Sequence, residues 1–237
     1  MNKAIILAGG LGTRLRSVLP NIVKPMAPIN GRPFLEYQMD YWIYQGIDEF
    51  ILSVGYRKND VMEYFGESYN GCRIKYAIED QPLGTGGGLL QAINLVDQNE
   101  SILVLNGDTF FEVDYIELKK YHDQKKSQWT FSLFRSYDVN RYMGIETDSN
   151  GAIRSLTSKK IELTSLVNGG VYLVNTNLFS TSRFRAGDKA SLEDDLLSEF
   201  ISNNVRLFGI EFSGQFIDIG LPDDYNKAST ILKMEGK

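Results

Sequence analysis

The chain has 237 residues, of which 43% are hydrophobic and 23% are charged, and its formal net charge is −5. This composition is typical of a globular protein with one α/β domain, and the negative charge disfavours nucleic acid or an acidic membrane as a partner. One cysteine (Cys72) and one histidine (His122) exclude an intrachain disulfide and a metal site of several imidazoles. Because no apolar run has the length of a signal-peptide core or a membrane span, we expect a cytoplasmic protein.

The first predicted element is a buried strand over residues 4–8, which runs into a glycine-rich turn. The turn, residues 9–14, reads Gly-Gly-Leu-Gly-Thr-Arg, and Lys24 follows in the sequence Lys-Pro-Met. Glycines let backbone N–H groups approach phosphate oxygens, and the cations Arg14 and Lys24 add positive charge beside them. The third glycine of a dinucleotide-binding turn is missing and the chain has no P-loop pattern. We therefore predict a polyphosphate site of another kind.

The next elements alternate between helix and strand. Apolar spacing predicts a helix over residues 34–45 that ends at Gly46, a strand over 50–54, a helix over 59–65 and a strand over 73–78. This alternation favours a mostly parallel sheet with helices on both faces. No acidic residue ends the second strand, where NAD-binding proteins have one that binds the ribose, and this argues against NAD as a ligand. Trp42 and Tyr44 lie on the first helix. We expect them to pack in the core, and the alternative is that they form an interface in a homo-oligomer.

Four glycines occur in residues 81–88, before a predicted helix over 89–96. They favour a place where a flat base or a ribose lies against backbone, and the alternative is a loose helix N-terminus. Asp108 follows a strand predicted over 101–105. Because open α/β sheets bind ligands at the carboxyl ends of their strands, Asp108 is a candidate ligand-binding group, although a turn-capping role remains open.

The second half is richer in strands, which are predicted over residues 129–135, 143–147, 152–156 and 169–174, with a hairpin turn at 148–151. His122 lies in a lysine-rich segment that reads as a solvated helix end. Ser191 is a predicted helix N-cap with Asp194 at the third helical position. Asp218 ends a strand, and a final helix is predicted over 222–234. Two separate carboxylates, Asp108 and Asp218, with the two cations, suit nucleotidyl chemistry with Mg²⁺.

The sequence resembles the sugar-1-phosphate nucleotidylyltransferases over almost its whole length. The motifs that carry this resemblance are residues 9–14, 24–26, 82–87, 106–108, 168–170 and 216–220. It implies a Rossmann-like three-layer α/β/α fold with a mostly parallel mixed central sheet. It also implies one domain, residues 1–237, with a nucleotide-binding half of about 1–112 and a sugar-binding half of about 113–237.

The activity that the resemblance implies is Mg²⁺-dependent transfer of a nucleotidyl group from a nucleoside triphosphate to a sugar 1-phosphate. The short loop at residues 83–87 and the early end after Asp218 are most similar to guanylyltransferases of a manno-configured heptose 1-phosphate, which implies GTP. Mannose 1-phosphate, or UTP or dTTP, remains an alternative. A subunit that senses a nucleotide sugar without making it is the alternative of another class.

By matching positions, the resemblance implies catalytic roles for Arg14, Lys24 and Asp108, and metal binding by Asp108 and Asp218. Nucleotide binding is implied for Leu7, Ala8, Gly9, Gly10, Gly12, Thr13, Arg14, Gln81, Pro82, Gly84, Thr85 and Asp108. Binding of the sugar phosphate is implied for Gly107, Lys159, Asn168, Gly169 and Glu193. The chain has Ser158 where the family usually has Glu, which puts the identity of the sugar in doubt, and Lys160 is an alternative to Lys159.

Overall fold

The computed structural model describes residues 1–10, 22–136, 142, 144–157 and 165–232. Its strands are β1 Lys3–Leu7, β2 Pro28–Ile29, β3 Arg32–Pro33, β4 Glu49–Val54, β5 Ser68–Tyr69, β6 Cys72–Ile78, β7 Ser101–Asn106, β8 Thr109–Phe111, β9 Trp129–Ser136, β10 Gly144–Thr147, β11 Ile153–Thr157, β12 Ser165–Asn175, β13 Leu207–Glu211 and β14 Phe216–Asp218. Its α-helices are α1 Phe34–Tyr44, α2 Lys58–Phe65, α3 Gly84–Ile93, α4 Tyr115–Lys125, α5 Ser198–Ser202 and α6 Pro222–Ile231. Two 3₁₀ helices, Lys24–Met26 and Thr176–Thr181, and a π-helical segment, Leu192–Leu197, complete the described elements.

One mixed sheet organises the chain. Its main path follows the order β11-β10-β12-β7-β1-β4-β6-β5, and β9 and β13 join it beside β12. The first four long strands are mutually parallel, with β1 between β7 and β4, and β6 beyond β4. The long strand β12 runs antiparallel to β7 and connects this parallel part to the antiparallel strands of the second half. The expected mixed sheet is confirmed.

Helices cover both faces of this sheet. Successive side chains of a strand point to opposite faces, so Ile6 and Leu52 pack with α1 on one side while Ile5 and Ile51 pack with α3 on the other. All six residues of β4 are buried, as expected for a parallel strand covered on both faces. The three-layer α/β/α arrangement therefore follows from apolar strands that need helices on both faces of the sheet.

Helix α1 confirms the sequence-based expectation, because it spans Phe34–Tyr44 and Gly46 follows with a φ of +91°. Trp42 lies in the core as expected, whereas the expected burial of Tyr44 is wrong, since this side chain is 88% exposed. Helix α6 begins at Pro222 as predicted, and the predicted hairpin is present as β10 and β11. Ser191 caps the π-helical segment by accepting a hydrogen bond from the Asp194 N–H.

Helix α3 begins at Gly84, five residues before the predicted start at Leu89. Its glycines are helical because residues 188–191 cross it at backbone distance. A Cβ on Gly87 would lie 2.4 Å from the Asp188 carbonyl oxygen, and one on Gly84 would lie 2.6 Å from the Ala190 oxygen. The N–H groups of Gly86 and Gly87 both donate to that Ala190 oxygen. Tertiary packing thus overrides the low helix propensity of glycine.

The expectation that His122 lies at a solvated helix end is wrong. The imidazole is 2% exposed, its Nδ1 is 2.8 Å from Thr130 Oγ1, and its Nε2 is 3.1 Å from Asn175 Oδ1. The lysines around it occupy the outer face of α4, so the segment is amphipathic and His122 is on its inner face. Burial lowers the pKa of His122 below its ordinary value of 6.5.

This buried imidazole predicts a loss of stability in mild acid. The folded protein favours the neutral ring, so the unfolded chain binds a proton more readily as pH falls through about 6.5. The stabilising contribution is therefore complete above that pH, and is lost below it at up to about 1.4 kcal/mol per pH unit. Denaturant unfolding at about pH 7.5 and about pH 5 measures this loss. The free energy of unfolding should fall more between these two pH values for the native protein than for His122→Gln. An equal fall in both proteins would contradict the view that His122 is buried in its neutral form.

Every helix in the described ranges is too short or too polar to cross a bilayer.

Candidate active site

The parallel strands direct their carboxyl ends to one edge of the sheet. β1 ends at Leu7, β4 at Val54, β6 at Ile78 and β7 at Asn106, and the pairing register brings these four ends side by side. The segments that follow them contain the first glycine turn, Glu79 and Asp108. This edge is where an open α/β sheet binds its ligands.

Three charged side chains converge at the β7 end of this edge. Lys24 Nζ is 2.6 Å from Asp108 Oδ2, and both side chains are partly exposed. Strand β14 pairs with β8 so that Asp218 is opposite Thr109, the neighbour of Asp108, and Ile219 N–H donates to the Asp108 carbonyl oxygen at 2.9 Å. Residues far apart in sequence therefore form one charged cluster.

Gly220 marks the space between these groups. A Cβ at this position would lie 2.8 Å from Asp218 Oδ1, 2.9 Å from Lys24 Nζ and 3.4 Å from Asp108 Oδ2. A side chain would fill the gap into which two carboxylates and an ammonium point. This donor set fits Mg²⁺, which takes one or two carboxylates together with phosphate oxygens and water. No cluster of three or more acidic, Cys or His ligands occurs within the described residues.

A second carboxylate site lies at the β6 end of the edge. Glu79 is 8% exposed; its Oε1 accepts a hydrogen bond from Ser53 Oγ at 3.1 Å, and its Oε2 accepts one from the Leu83 N–H at 3.0 Å. A Cβ on Gly9 would lie 2.2 Å from Oε1, and one on Gly88 would lie 2.8 Å from it. The absence of side chains at these two glycines leaves room for a buried carboxylate beside the first turn.

The residues predicted to bind a sugar phosphate lie on the β12 side. Asn168 Nδ2 donates to the Tyr172 hydroxyl at 2.7 Å, and Asn168 Oδ1 accepts from the Gly170 N–H at 3.0 Å. Asn106 also hydrogen-bonds the Tyr172 hydroxyl, so two partly buried amides share one buried hydroxyl. Gly169 is buried, and a Cβ there would meet Phe111 Cδ1 at 2.4 Å, so packing accounts for this glycine.

Glu193 lies in the π-helical segment that follows Ser191. Burial raises the pKa of its carboxyl, and the negative charges of Asp194 and Asp108 raise that pKa further. Burial also raises the pKa of Tyr172, and Glu193 adds to that effect. Glu193 is therefore within electrostatic range of both Asp108 and Tyr172, and its place in a sugar site stays a prediction.

The other predicted nucleotide-binding residues occupy the same edge. Ala8 N–H donates to the Ser53 carbonyl oxygen at 2.8 Å, and a Cβ on Gly10 would meet no atom within 4 Å. Gln81, Pro82, Gly84 and Thr85 are exposed at the start of α3, where Thr85 Oγ1 accepts from the Leu192 N–H. Leu7 and Gly107 adjoin each other through the Gly107 N–H bond to the Leu7 oxygen. The following predicted positions lie outside the described residues: Gly12, Thr13, Arg14, Ser158, Lys159 and Lys160.

Glu79 is the group that the sequence reasoning missed. The rule that singled out Asp108, an acid just after a parallel strand, applies equally to Glu79 after β6. The glycines of residues 81–88 follow Glu79 closely and carry the stronger local signal. Tyr172 was missed for a different reason, because its position inside a strand reads as ordinary core.

Comparison with known proteins identifies relatives that match almost the whole chain. The nucleotidyl transferase family model matches residues 3–235. D-glycero-α-D-manno-heptose 1-phosphate guanylyltransferase of Campylobacter jejuni is 41% identical over 94% of this chain and 96% of its own length. The enzyme of the same description from Aneurinibacillus thermoaerophilus is 40% identical over 98% of both chains. Crystal structures of HddC from Yersinia pseudotuberculosis, one of them complexed with GMP-PN, superimpose with a TM-score of 0.85 at 34% identity and cover 98% of this chain and 100% of theirs.

Proposed function

The chain belongs to the nucleotidyl transferase family, and on this premise we propose that it transfers GMP from GTP to a manno-configured heptose 1-phosphate. The observation that carries the proposal is the convergence of Lys24, Asp108 and Asp218 around Gly220 at the carboxyl edge of the sheet. The two relatives at 40–41% identity bear the name of this activity.

The proposed reaction is a direct displacement at the α-phosphorus of GTP. An oxygen of the sugar phosphate forms the new bond to phosphorus, the bond to the bridging oxygen of the β-phosphate breaks, and pyrophosphate leaves with that electron pair. Such chemistry needs positioned charge rather than a protein nucleophile. Lys24 supplies a cation at the reacting centre, and Arg14 is proposed to bind the leaving pyrophosphate.

We propose that Asp108 and Asp218 would hold a magnesium ion. Such an ion would offset negative charge on the α-phosphate. The chain's own contribution is a pair of carboxylates held beside an ammonium group. Lys24 and Asp108 are already in contact at 2.6 Å, so little rearrangement is needed to gather the charges.

Glu79 is proposed to select the base. Guanine presents two neighbouring donors, N1–H and the 2-amino group, which match the two acceptor oxygens of a carboxylate. Uracil and thymine present one such donor between two acceptors, which a carboxylate would repel. Each Glu79 oxygen accepts one protein hydrogen bond and retains a further lone pair for a ligand.

The sugar phosphate is proposed to lie between β12 and the π-helical segment. Asn168, Gly169 and Gly107 line one side and Glu193 lines the other, while Lys159 is proposed to bind the phosphate. Glu193 has a raised pKa because it is buried near Asp108 and Asp194. A ligand rich in hydroxyls suits such a carboxyl. A hydroxyl can donate to the ionised carboxylate and can accept from the protonated carboxyl.

Pyrophosphate release tests the proposal. With Mg²⁺, all four common nucleoside triphosphates should be combined with a panel of sugar 1-phosphates that includes heptose and mannose. We expect turnover with GTP and the manno-configured heptose 1-phosphate. Turnover with another pair would retain the reaction but refute the substrate, and Ser158 would then mark a changed sugar pocket. Tight binding of a nucleotide sugar without any turnover would refute the enzyme and favour a sensor subunit.

A further inference from the structure

A buried glutamine on α1 contacts the loop that carries Asp108. Gln38 is 2% exposed. Its Nε2 donates to the carbonyl oxygen of Asn106 at 2.8 Å and also to that of Thr109. These two carbonyls flank Asp108, one at the end of β7 and the other at the start of β8. A single side-chain amide thus connects both ends of the Asp108 loop.

Besides the contact of the Asp108 carboxylate with Lys24, two backbone hydrogen bonds hold this loop. Gly107 N–H donates to the Leu7 oxygen at 3.1 Å, and the Asp108 oxygen accepts from Ile219 N–H at 2.9 Å. The first bond connects the loop to β1 and the second connects it to the segment after Asp218. Gln38 adds an attachment from the helix layer, which holds the backbone on both sides of Asp108 through a side-chain amide.

The chemistry of Gln38 indicates that its N–H groups matter more than its contribution to packing. Gln38 Oε1 is buried and has no hydrogen-bond partner among the described residues. A buried, unpaired amide oxygen destabilises a fold, whereas a methionine of similar size would avoid that cost. An apolar side chain could not hold two carbonyl oxygens at a set distance from each other.

We infer that Gln38 is a positioning residue for nucleotidyl transfer, which acts by fixing the backbone on both sides of Asp108. The inference rests on the proposed function of Asp108. When the amide is lost, the two carbonyls are freed, the Asp108 carboxylate moves relative to Asp218 and Lys24, and the reacting groups are misplaced. A misplacement of about 1 Å lowers the rate of a positioned reaction about 100-fold.

The experiment compares Gln38→Met with Gln45→Met. Gln45 follows α1 and also uses both ends of its amide, since Nε2 donates to the Tyr41 hydroxyl and Oε1 accepts from Tyr115 N–H, but neither partner belongs to the Asp108 loop, residues 106–109. For Gln38→Met we expect kcat to fall about 10- to 100-fold and half-saturation by Mg²⁺ to need about tenfold more metal, with KM for GTP within about threefold. Deuterium uptake of residues 103–111 should rise in the absence of substrates. Gln45→Met should leave each of these quantities within about twofold.

Gln38→Glu provides a second, graded variant. A protonated carboxyl at this site can donate one hydrogen bond, so it restores the contact to one of the two carbonyl oxygens. The kcat of Gln38→Glu should therefore lie between those of the native enzyme and Gln38→Met. That recovery should disappear as pH rises and the carboxyl loses its proton.

Two results would overturn the inference. One is a folded Gln38→Met whose kcat, metal requirement and deuterium uptake match those of the native protein. The other is a variant that melts at lower temperature but keeps its kcat and metal requirement, which would leave Gln38 a structural role alone; if Gln38→Met does not fold, the pH profile of Gln38→Glu decides. Should the native protein lack transferase activity, the proposed function fails, and deuterium uptake still tests whether Gln38 fixes the loop.

Discussion

Asp108→Asn is expected to reduce nucleotidyl transfer on the order of 10³-fold in kcat, about 4 kcal/mol of transition-state stabilisation, while the fold stays intact. The amide keeps the volume of the carboxylate and an acceptor oxygen near Lys24 Nζ. It removes one of the two negative charges that face Gly220, and with it most of the attraction for a divalent cation. Pyrophosphate release at several Mg²⁺ concentrations measures the loss, and circular dichroism with thermal melting checks the fold.

Asp114→Asn is the matched control for this change. Asp114 is exposed, lies six residues further along the chain and caps α4 by accepting a hydrogen bond from the Glu117 N–H at 2.9 Å. Asparagine is an equally good N-cap, so stability and activity should stay close to those of the native protein. Activity of Asp108→Asn within about fivefold of the native level would exclude the proposed metal role.

Glu79→Gln is expected to change which nucleotide the enzyme prefers. A glutamine keeps one acceptor for guanine but presents its amide donor to the second guanine donor, which leaves that group unpaired. The loss of a hydrogen bond to a charged group costs about 1.5–3 kcal/mol, so kcat/KM for GTP should fall roughly 10- to 100-fold. UTP and dTTP, which an amide can pair with, should be used as well as before or better. Steady-state kinetics with each triphosphate measures the shift.

The control for the base-selection test is the neighbouring substitution Asp80→Asn. Asp80 is exposed and its carboxylate contacts Lys58 Nζ at 3.1 Å on the surface, so the same chemical change there should leave nucleotide preference unchanged. If Glu79→Gln retained the native ratio of GTP to UTP turnover, Glu79 would be a structural carboxylate that holds Ser53 and Leu83, and base selection would have to be assigned elsewhere.

Local patterns were sufficient for most of the fold. Strand β4 is mostly apolar, α1 has apolar residues at helical spacing up to Gly46, and Pro222 opens α6. These signals are short-range, because alternation and capping depend on neighbours a few residues away. The start of α3 could not be predicted in this way, since its glycines are helical only because residues 188–191 pack against them.

The candidate site likewise has residues that local patterns reveal and an arrangement that only tertiary contacts produce. The sequence by itself identified Lys24, Asp108 and Asp218, because charged residues beside glycine turns and strand ends carry a local signal. Their convergence around Gly220 depends on the pairing of β14 with β8, a contact between residues more than a hundred positions apart. Glu79 carries the same local signal as Asp108, because it follows a parallel strand. His122 and Gln38 carry no local signal for their environments, since burial and partners are set by elements distant in the chain. Residue chemistry was therefore determined by the sequence, and which of these groups became buried, paired or positioned was decided by tertiary packing alone.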